Sequence, residues 1–312
     1  MKRFFKIVLW TLIILFLLVN IISATNAYKF THFYNQGSKK EVPEDKKTAW
    51  NKIGDIVLGK DYFKKGNIPL PDSFSSVTLA STDGISLEGW YRQVPNAKGS
   101  VALFHGYGDN KTKILPEAVG FSDMGYNVLL IDFRGHGNSS GNTCTIGYKE
   151  ADDVNAAYNF LKDKGENNII LWGISMGAAS VAHAMEEYHL QPSKVILEMP
   201  FATMKDAVEG QLNTMHLPGE PLGFFLTFWG GIEHGFWAFG VNPDEYAKDI
   251  HCPILLQQGS SDIRVKPIET KEIYNNLNQP KNLIMYNNSG HESLCKQEHL
   301  KWLATVSAFL NS

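Results

Sequence analysis

Short, almost continuously apolar runs recur at residues 100–104, 126–131, 168–172, 194–198, 253–257 and 281–286, and stretches of helical character separate most of them. A strand is apolar on both sides only when both sides are covered, so such runs belong inside a sheet with helices packed on each face. Their succession predicts an α/β chain built on a mostly parallel, doubly wound sheet. Ahead of them, residues 76–81 and 85–93 alternate apolar and polar around Asp83-Gly84, which predicts an antiparallel N-terminal hairpin. Helices are expected at 113–124, 148–164, 176–188, 267–276 and 296–310. With 312 residues and 44% hydrophobic content the chain can bury one large core. Its net charge of −3, with no basic stripe, excludes a nucleic-acid partner.

The first 27 residues are of another kind. Lys2, Arg3 and Lys6 precede residues 7–24, a stretch broken only by Thr11, Asn20 and Ser23. At about 1.5 Å per residue it reaches about 27 Å, close to the hydrocarbon thickness of a bilayer. Residues 1–27 therefore read as a transmembrane anchor, the alternative being a signal segment cleaved at Ala24 or Ala27. With the positive residues cytoplasmic, the remainder lies on the outer side, as a single-pass membrane protein or, after cleavage, a secreted one. Residues 28–72 read as a polar tether, with a charged run at Lys39, Lys40, Glu41, Glu44, Asp45, Lys46 and Lys47 that reads as a solvated tether or short helix. A chain starting at Tyr28 is then expected to fold and retain catalysis. Residues 73–312 form the main domain, and the interval 201–250, rich in Phe224, Phe225, Phe228, Trp229, Phe236, Trp237 and Phe239, reads as a helical cap inserted between two strands.

Chemistry concentrates after the run at 169–172. Gly173-Ile174-Ser175-Met176-Gly177 follows a strand and opens a helix, the setting in which G-x-S-x-G projects a serine hydroxyl above a sheet. That hydroxyl is a weak nucleophile and needs a base oriented by a carboxylate. Asp262 and His291 follow the last two strand-like runs, in the order Ser, Asp, His; Glu198, at the end of the preceding run, is the rival acid. His105, His136, His183 and His251 have ordinary structural readings. The oxyanion of a tetrahedral intermediate needs preorganised donors, each worth about 2.7–4 kcal/mol. The backbone N–H groups of Met176 and of Tyr107, in His105-Gly106-Tyr107-Gly108, are the candidates.

Together with Asp132-Phe-Arg-Gly-His-Gly-Asn-Ser-Ser-Gly141, these motifs resemble the α/β-hydrolase superfamily over about residues 75–310, and within it the serine-aminopeptidase-like and BEM46/ABHD13-type serine hydrolases. The resemblance implies the nucleophile, base, acid and oxyanion roles just given. It also implies that the 132–141 loop is architectural, with Arg134 and His136 bracing the site.

The expected function is hydrolysis of a carboxylic ester or thioester through a Ser175 acyl-enzyme, on a small-molecule or lipid-like substrate with an apolar acyl group suited to the aromatic cap. One alternative is a serine peptidase for short peptides, which needs a carboxylate such as Glu209, Glu220 or Glu233 for the substrate ammonium. The other is a non-catalytic binding module. No cofactor and no metal are expected, since neither a ligand cluster nor a P-loop is present in the sequence. Pairing of Cys144 with Cys295 is open, and acyl length and oligomeric state carry no sequence signature.

Overall fold

The computed structural model describes residues 2–39 and 46–312. Most of the charged run expected near residue 40 lies outside them. Helix α1 (Lys2–Thr31) leads into strand β1 (Phe33–Tyr34), helix α2 (Ala49–Leu58) and strand β2 (Tyr62–Phe63), which pairs with β1 in parallel. The main body continues with β3 (Ser75–Ala80), β4 (Ser86–Arg92), β5 (Ser100–Phe104), α3 (Leu115–Asp123), β6 (Asn127–Ile131), α4 (Glu150–Asp163), β7 (Ile169–Ile174) and α5 (Met176–Tyr188). It ends with β8 (Lys194–Glu198), α6 (Met204–Thr214), α7 (Leu222–His234), α8 (Pro243–Tyr246), β9 (Ile254–Gly259), α9 (Pro267–Asn276), β10 (Lys281–Tyr286), α10 (Leu294–Gln297) and α11 (His299–Leu310).

The main sheet has the order β10-β9-β8-β7-β5-β6-β4-β3, parallel from β10 through β6 and antiparallel at the β6-β4-β3 edge. The expected doubly wound sheet and its N-terminal hairpin are both present. The hairpin turn is longer than Asp83-Gly84, because the Arg134 guanidinium donates to the Ser81 and Thr82 hydroxyls and holds Thr82–Gly84 as a 3-10 turn.

Alternation along the strands divides the core in two. Val101 and Leu103 of β5 join Phe121, Trp172 and Trp302 on one face, whereas Ala102 and Phe104 join Val154 and Val181 on the other. Each fully buried side chain of this size contributes about 1.5–3 kcal/mol. Cys144 belongs to one cluster and Cys295 to the other, and both thiols are free. The sheet between them excludes the disulfide that the sequence left open.

Within the stretch read as a tether, α1 runs on to Thr31 and Phe33 is buried against the body. Phe33 N–H donates to Asn142 O, and Cys144 N–H to Thr31 O. The interval 201–250 folds mainly as α6, α7 and α8, between β8 and β9.

Candidate active site

The sheet order reverses direction at β5, with β6 on one side and β7 on the other. In doubly wound sheets the crevice beyond the carboxyl ends at such a point is the habitual ligand site. Ser175 leaves β7 there with φ 54 and ψ −118, a conformation that costs a non-glycine residue about 1–3 kcal/mol. The turn closes only because Gly173 and Gly177, two residues to either side, lack side chains. A Cβ on Gly173 would stand 2.5 Å from the Gly177 backbone, and one on Gly177 2.3 Å from the Phe104 carbonyl oxygen. Ser175 N–H donates to Glu198 O at 2.8 Å, which anchors the turn to β8.

Asp262 follows β9 and His291 follows β10, and the structure brings both to the serine. His291 Nε2 lies 2.9 Å from Ser175 Oγ, and His291 Nδ1 lies 2.7 Å from Asp262 Oδ2. A carboxylate can only accept here, so Nδ1 carries the proton and Nε2 is free to accept from the serine hydroxyl. Asp262 is itself held, since its Oδ1 accepts from the Arg264 and Val265 N–H groups at 2.8 and 2.9 Å. Its side chain is fully buried.

Glu198, the rival acid, turns to the opposite face of the sheet. Its Oε1 accepts from the Trp172 and Trp302 indoles and from the Gln257 amide, while Oε2 has no partner. Burial, and then the neighbouring Glu117 carboxyl, pushes it up to about 8. It is a neutral, wedged acid away from the imidazole.

The loop after β5 is held from below. His136 is fully buried, and that burial, helped by His105, pulls its ring down to about 3. The neutral ring donates through Nδ1 to Arg134 O and accepts at Nε2 from Gly108 N–H at 3.1 Å. Beneath it, Asp132 accepts from the Lys111 and Asn138 N–H groups and from the Lys111 ammonium at 2.6 Å. Burial opposes its ionisation, but Lys111 and then His105 hold its carboxyl below the ordinary range. Lys111 is 0% exposed and also pairs with Glu88. The Tyr107 and Met176 amides find no acceptor among the described residues, and both residues line one small cavity with Ser175. Arg134, by contrast, braces the hairpin through Asp152 and Asp153.

The cavity at Ser175 has a volume of about 20 Å³ and is walled by Phe30, Ile146, Phe201 and Val265, with Arg264 at its side. The Arg264 side chain has no hydrogen-bond or ion-pair partner among the described residues. Beyond Phe30 and Ile146 lies a second cavity of about 630 Å³, walled largely by apolar side chains of α1, α6 and α7 and, on the α2 side, by Lys52, Asp55 and Ile56.

The family model described as "Serine aminopeptidase, S33" matches residues 95–220. The esterase Pf2001 of Pyrococcus furiosus superposes with a TM-score of 0.66 at 26% identity, over 79% of this chain and 95% of its own. The chain is an α/β hydrolase. This hydrolase is also 26% identical over 246 residues to the uncharacterised Bacillus subtilis protein YqkD, which covers 76% of the chain and 79% of YqkD. It is 26% identical over 216 residues to the lysophosphatidylserine lipase ABHD12 of Xenopus tropicalis, spanning 64% of the chain and about half (52%) of that lipase.

Sequence reasoning did not reach Phe30, Ile146, Arg264 or Lys111. Phe30 lies at the end of an apolar helix remote in sequence from every motif, where nothing marks it. Lys111 carried no local signal either, since its partner Asp132 lies 21 positions away in sequence.

Proposed function

We propose that this hydrolase cleaves carboxylic ester or thioester bonds of apolar acyl substrates through a Ser175 acyl-enzyme. The observation that carries the reading is the continuous hydrogen-bonded chain from Asp262 through His291 to Ser175, ending at a cavity. In the first half-reaction Ser175 Oγ attacks the carbonyl carbon and its proton passes to His291 Nε2. Asp262 keeps the imidazole in the required tautomer and stabilises the imidazolium. The carbonyl oxygen, now negative, accepts from the Tyr107 and Met176 amides, which are already oriented and need no reorganisation. His291 returns the proton to the leaving alcohol or thiol as the tetrahedral species collapses. Water repeats the sequence on the acyl-enzyme and frees the acid.

The similarity to an esterase, Pf2001, and to a lysophosphatidylserine lipase, ABHD12, supports an ester over a peptide bond. So do the cap carboxylates. Glu209 and Glu220 both pair with Lys205, and Glu233, pushed up to about 7 by burial, lines neither cavity. None is placed to hold a substrate ammonium. On this reading 201–250 is the cap and 73–312 the hydrolase domain. Residues 7–24 anchor it as a single-pass protein with its N-terminus cytoplasmic and its catalytic body outside, and the long exposed apolar face of α1 supports that placement.

Ser175→Ala should abolish p-nitrophenyl ester turnover and labelling by a fluorophosphonate probe. Asp262→Asn should lower kcat about 10⁴-fold through the wrong imidazole tautomer, and His291→Ala should lose a comparable factor. Turnover persisting in Ser175→Ala would sink the assignment.

A further inference from the structure

Helix α1 has two dissimilar halves. From Phe4 to Leu18 its large apolar side chains are exposed, as lipid-facing residues are. From Ser23 onward it is part of the protein: Ser23, Ala27 and Thr31 are buried. The Trp229 indole of α7 donates to Asn20 Oδ1 at 3.2 Å, and the Phe16 ring meets Phe225 edge-on. On another side, Asn26 Nδ2 donates to Ile56 O at the end of α2 at 3.0 Å.

This second half also reaches the reacting centre. Phe30 O accepts from the Tyr107 hydroxyl, and the two rings stack at 4.4 Å. Tyr107 is the residue whose amide faces the developing oxyanion. Ile22, Ala27 and Phe30 line the 630 Å³ cavity opposite Met204, Leu212 and Leu226, and Phe30 lines the small cavity at Ser175 as well. The lining here is mainly apolar, with charged side chains gathered on the α2 side at Lys52, Asp55 and Lys60, and its volume lies within the range of cavities that enclose a small ligand. The helix that would enter the bilayer is thus one wall of the 630 Å³ cavity, and its last turn is the partition between that cavity and the serine.

We infer that the end of α1 is an integral part of the acyl site: Ile22 and Ala27 wall a cavity for one long acyl chain, and Phe30 is the specificity-determining residue between it and Ser175. This rests on the acyl-enzyme reading above. A chain drawn from the bilayer along α1 reaches the cavity without crossing water, and its carbonyl reaches Ser175 past the Phe30 ring. Phe30 then sets how readily long chains are accepted relative to short ones, which do not extend past it. Retention of the N-terminal helix follows as a requirement, because cleavage at Ala24 or Ala27 would remove Ile22 and its neighbours from the wall.

The test uses the full-length protein in detergent micelles and a C4-to-C16 series of p-nitrophenyl esters. Ile22→Trp and Ala27→Phe fill the cavity from α1, and each should lower the C16-to-C4 ratio of kcat/KM at least tenfold. Phe30→Ala opens the partition and should raise that ratio several-fold. Fluorophosphonate labelling of Ser175 in each variant shows that the site is intact. A ratio within twofold of wild type in both Ile22→Trp and Phe30→Ala, with Ser175 still labelled, overturns the inference. Loss of labelling in Ala27→Phe leaves the decision to the half-buried Ile22 position. Turnover persisting in Ser175→Ala would instead strike the acyl-enzyme reading, so the two failures are separable.

Discussion

Two carboxylates stand at the carboxyl ends of adjacent strands, and side-chain direction alone separates their chemistry. Asp262 meets His291 at the crevice, whereas Glu198 faces the other layer and packs between two indoles. Gly-x-x-Asp at a strand end favoured Asp262 from the sequence, but the environment of Glu198 was not legible there, because it depends on Trp302, 104 positions away. That environment has a consequence for stability. Folded Glu198 keeps its proton up to about pH 8, whereas the unfolded residue loses it near 4.5. Between these values the folded state binds more protons, so this group's contribution is complete below about pH 4.5 and is lost as pH rises through 8. Glu198→Gln preserves the acceptor for Trp172, Trp302 and Gln257 and removes the titration. Its melting temperature should therefore fall less than that of wild type between pH 5 and 9, at about 2–4 °C per kcal/mol. Ester turnover should stay within twofold. Parallel melting curves across that range would count against a protonated carboxyl.

Helix α2 is an element whose surface makes sense only beside α1. Thr48 caps it, accepting from Asn51 N–H, and the Thr25 and Asn26 side chains of α1 donate to its last carbonyls at Val57 and Ile56. Yet Trp50 is 81% exposed, and Ile53, Val57 and Leu58 are exposed with it. An apolar helix face left open next to a span-length helix is the arrangement of an element lying in the membrane interface. From the sequence this stretch reads as a polar tether or short helix, because the ten residues of α2 acquire their place only from the helix they pack on. With Ile53→Cys carrying a nitroxide in vesicle-reconstituted protein, the label should be relaxed more by oxygen than by a water-soluble nickel chelate. A label at Asn159→Cys, on the exposed side of α4, supplies the aqueous reference. Equal accessibility at the two positions would exclude an interfacial α2.

Taken across its layers, the molecule packs α1 against α2 and α7 as part of one body. Loss of residues 1–27 would strip Ile22, Ser23, Asn26 and Ala27 from the large cavity and bare the apolar side chains of α6 and α7 behind them. The expectation that a chain starting at Tyr28 retains catalysis must therefore be divided. Such a chain should keep fluorophosphonate labelling of Ser175, melt several degrees lower, and lose at least tenfold in C16-ester turnover relative to C4. Full-length protein should remain with membranes through carbonate washing. Undiminished C16 turnover by the shortened chain would show that α1 contributes only location.

The strand pattern, the small residues around Ser175 and the order of Ser175, Asp262 and His291 were readable in the chain because each is a local requirement. A doubly covered strand must be apolar, a sharp turn between strand and helix needs residues without side chains, and a loop at a strand's carboxyl end is where a reacting group is presented. What tertiary structure alone decided was of longer range. It set Glu198 and Asp262 on opposite faces, put the sheet between Cys144 and Cys295, buried Lys111 against Asp132, and brought Phe30 onto Tyr107. Each of these joins residues that no periodicity relates, and burial and contact across the fold are what give them their charge state, their partners and their place at the site.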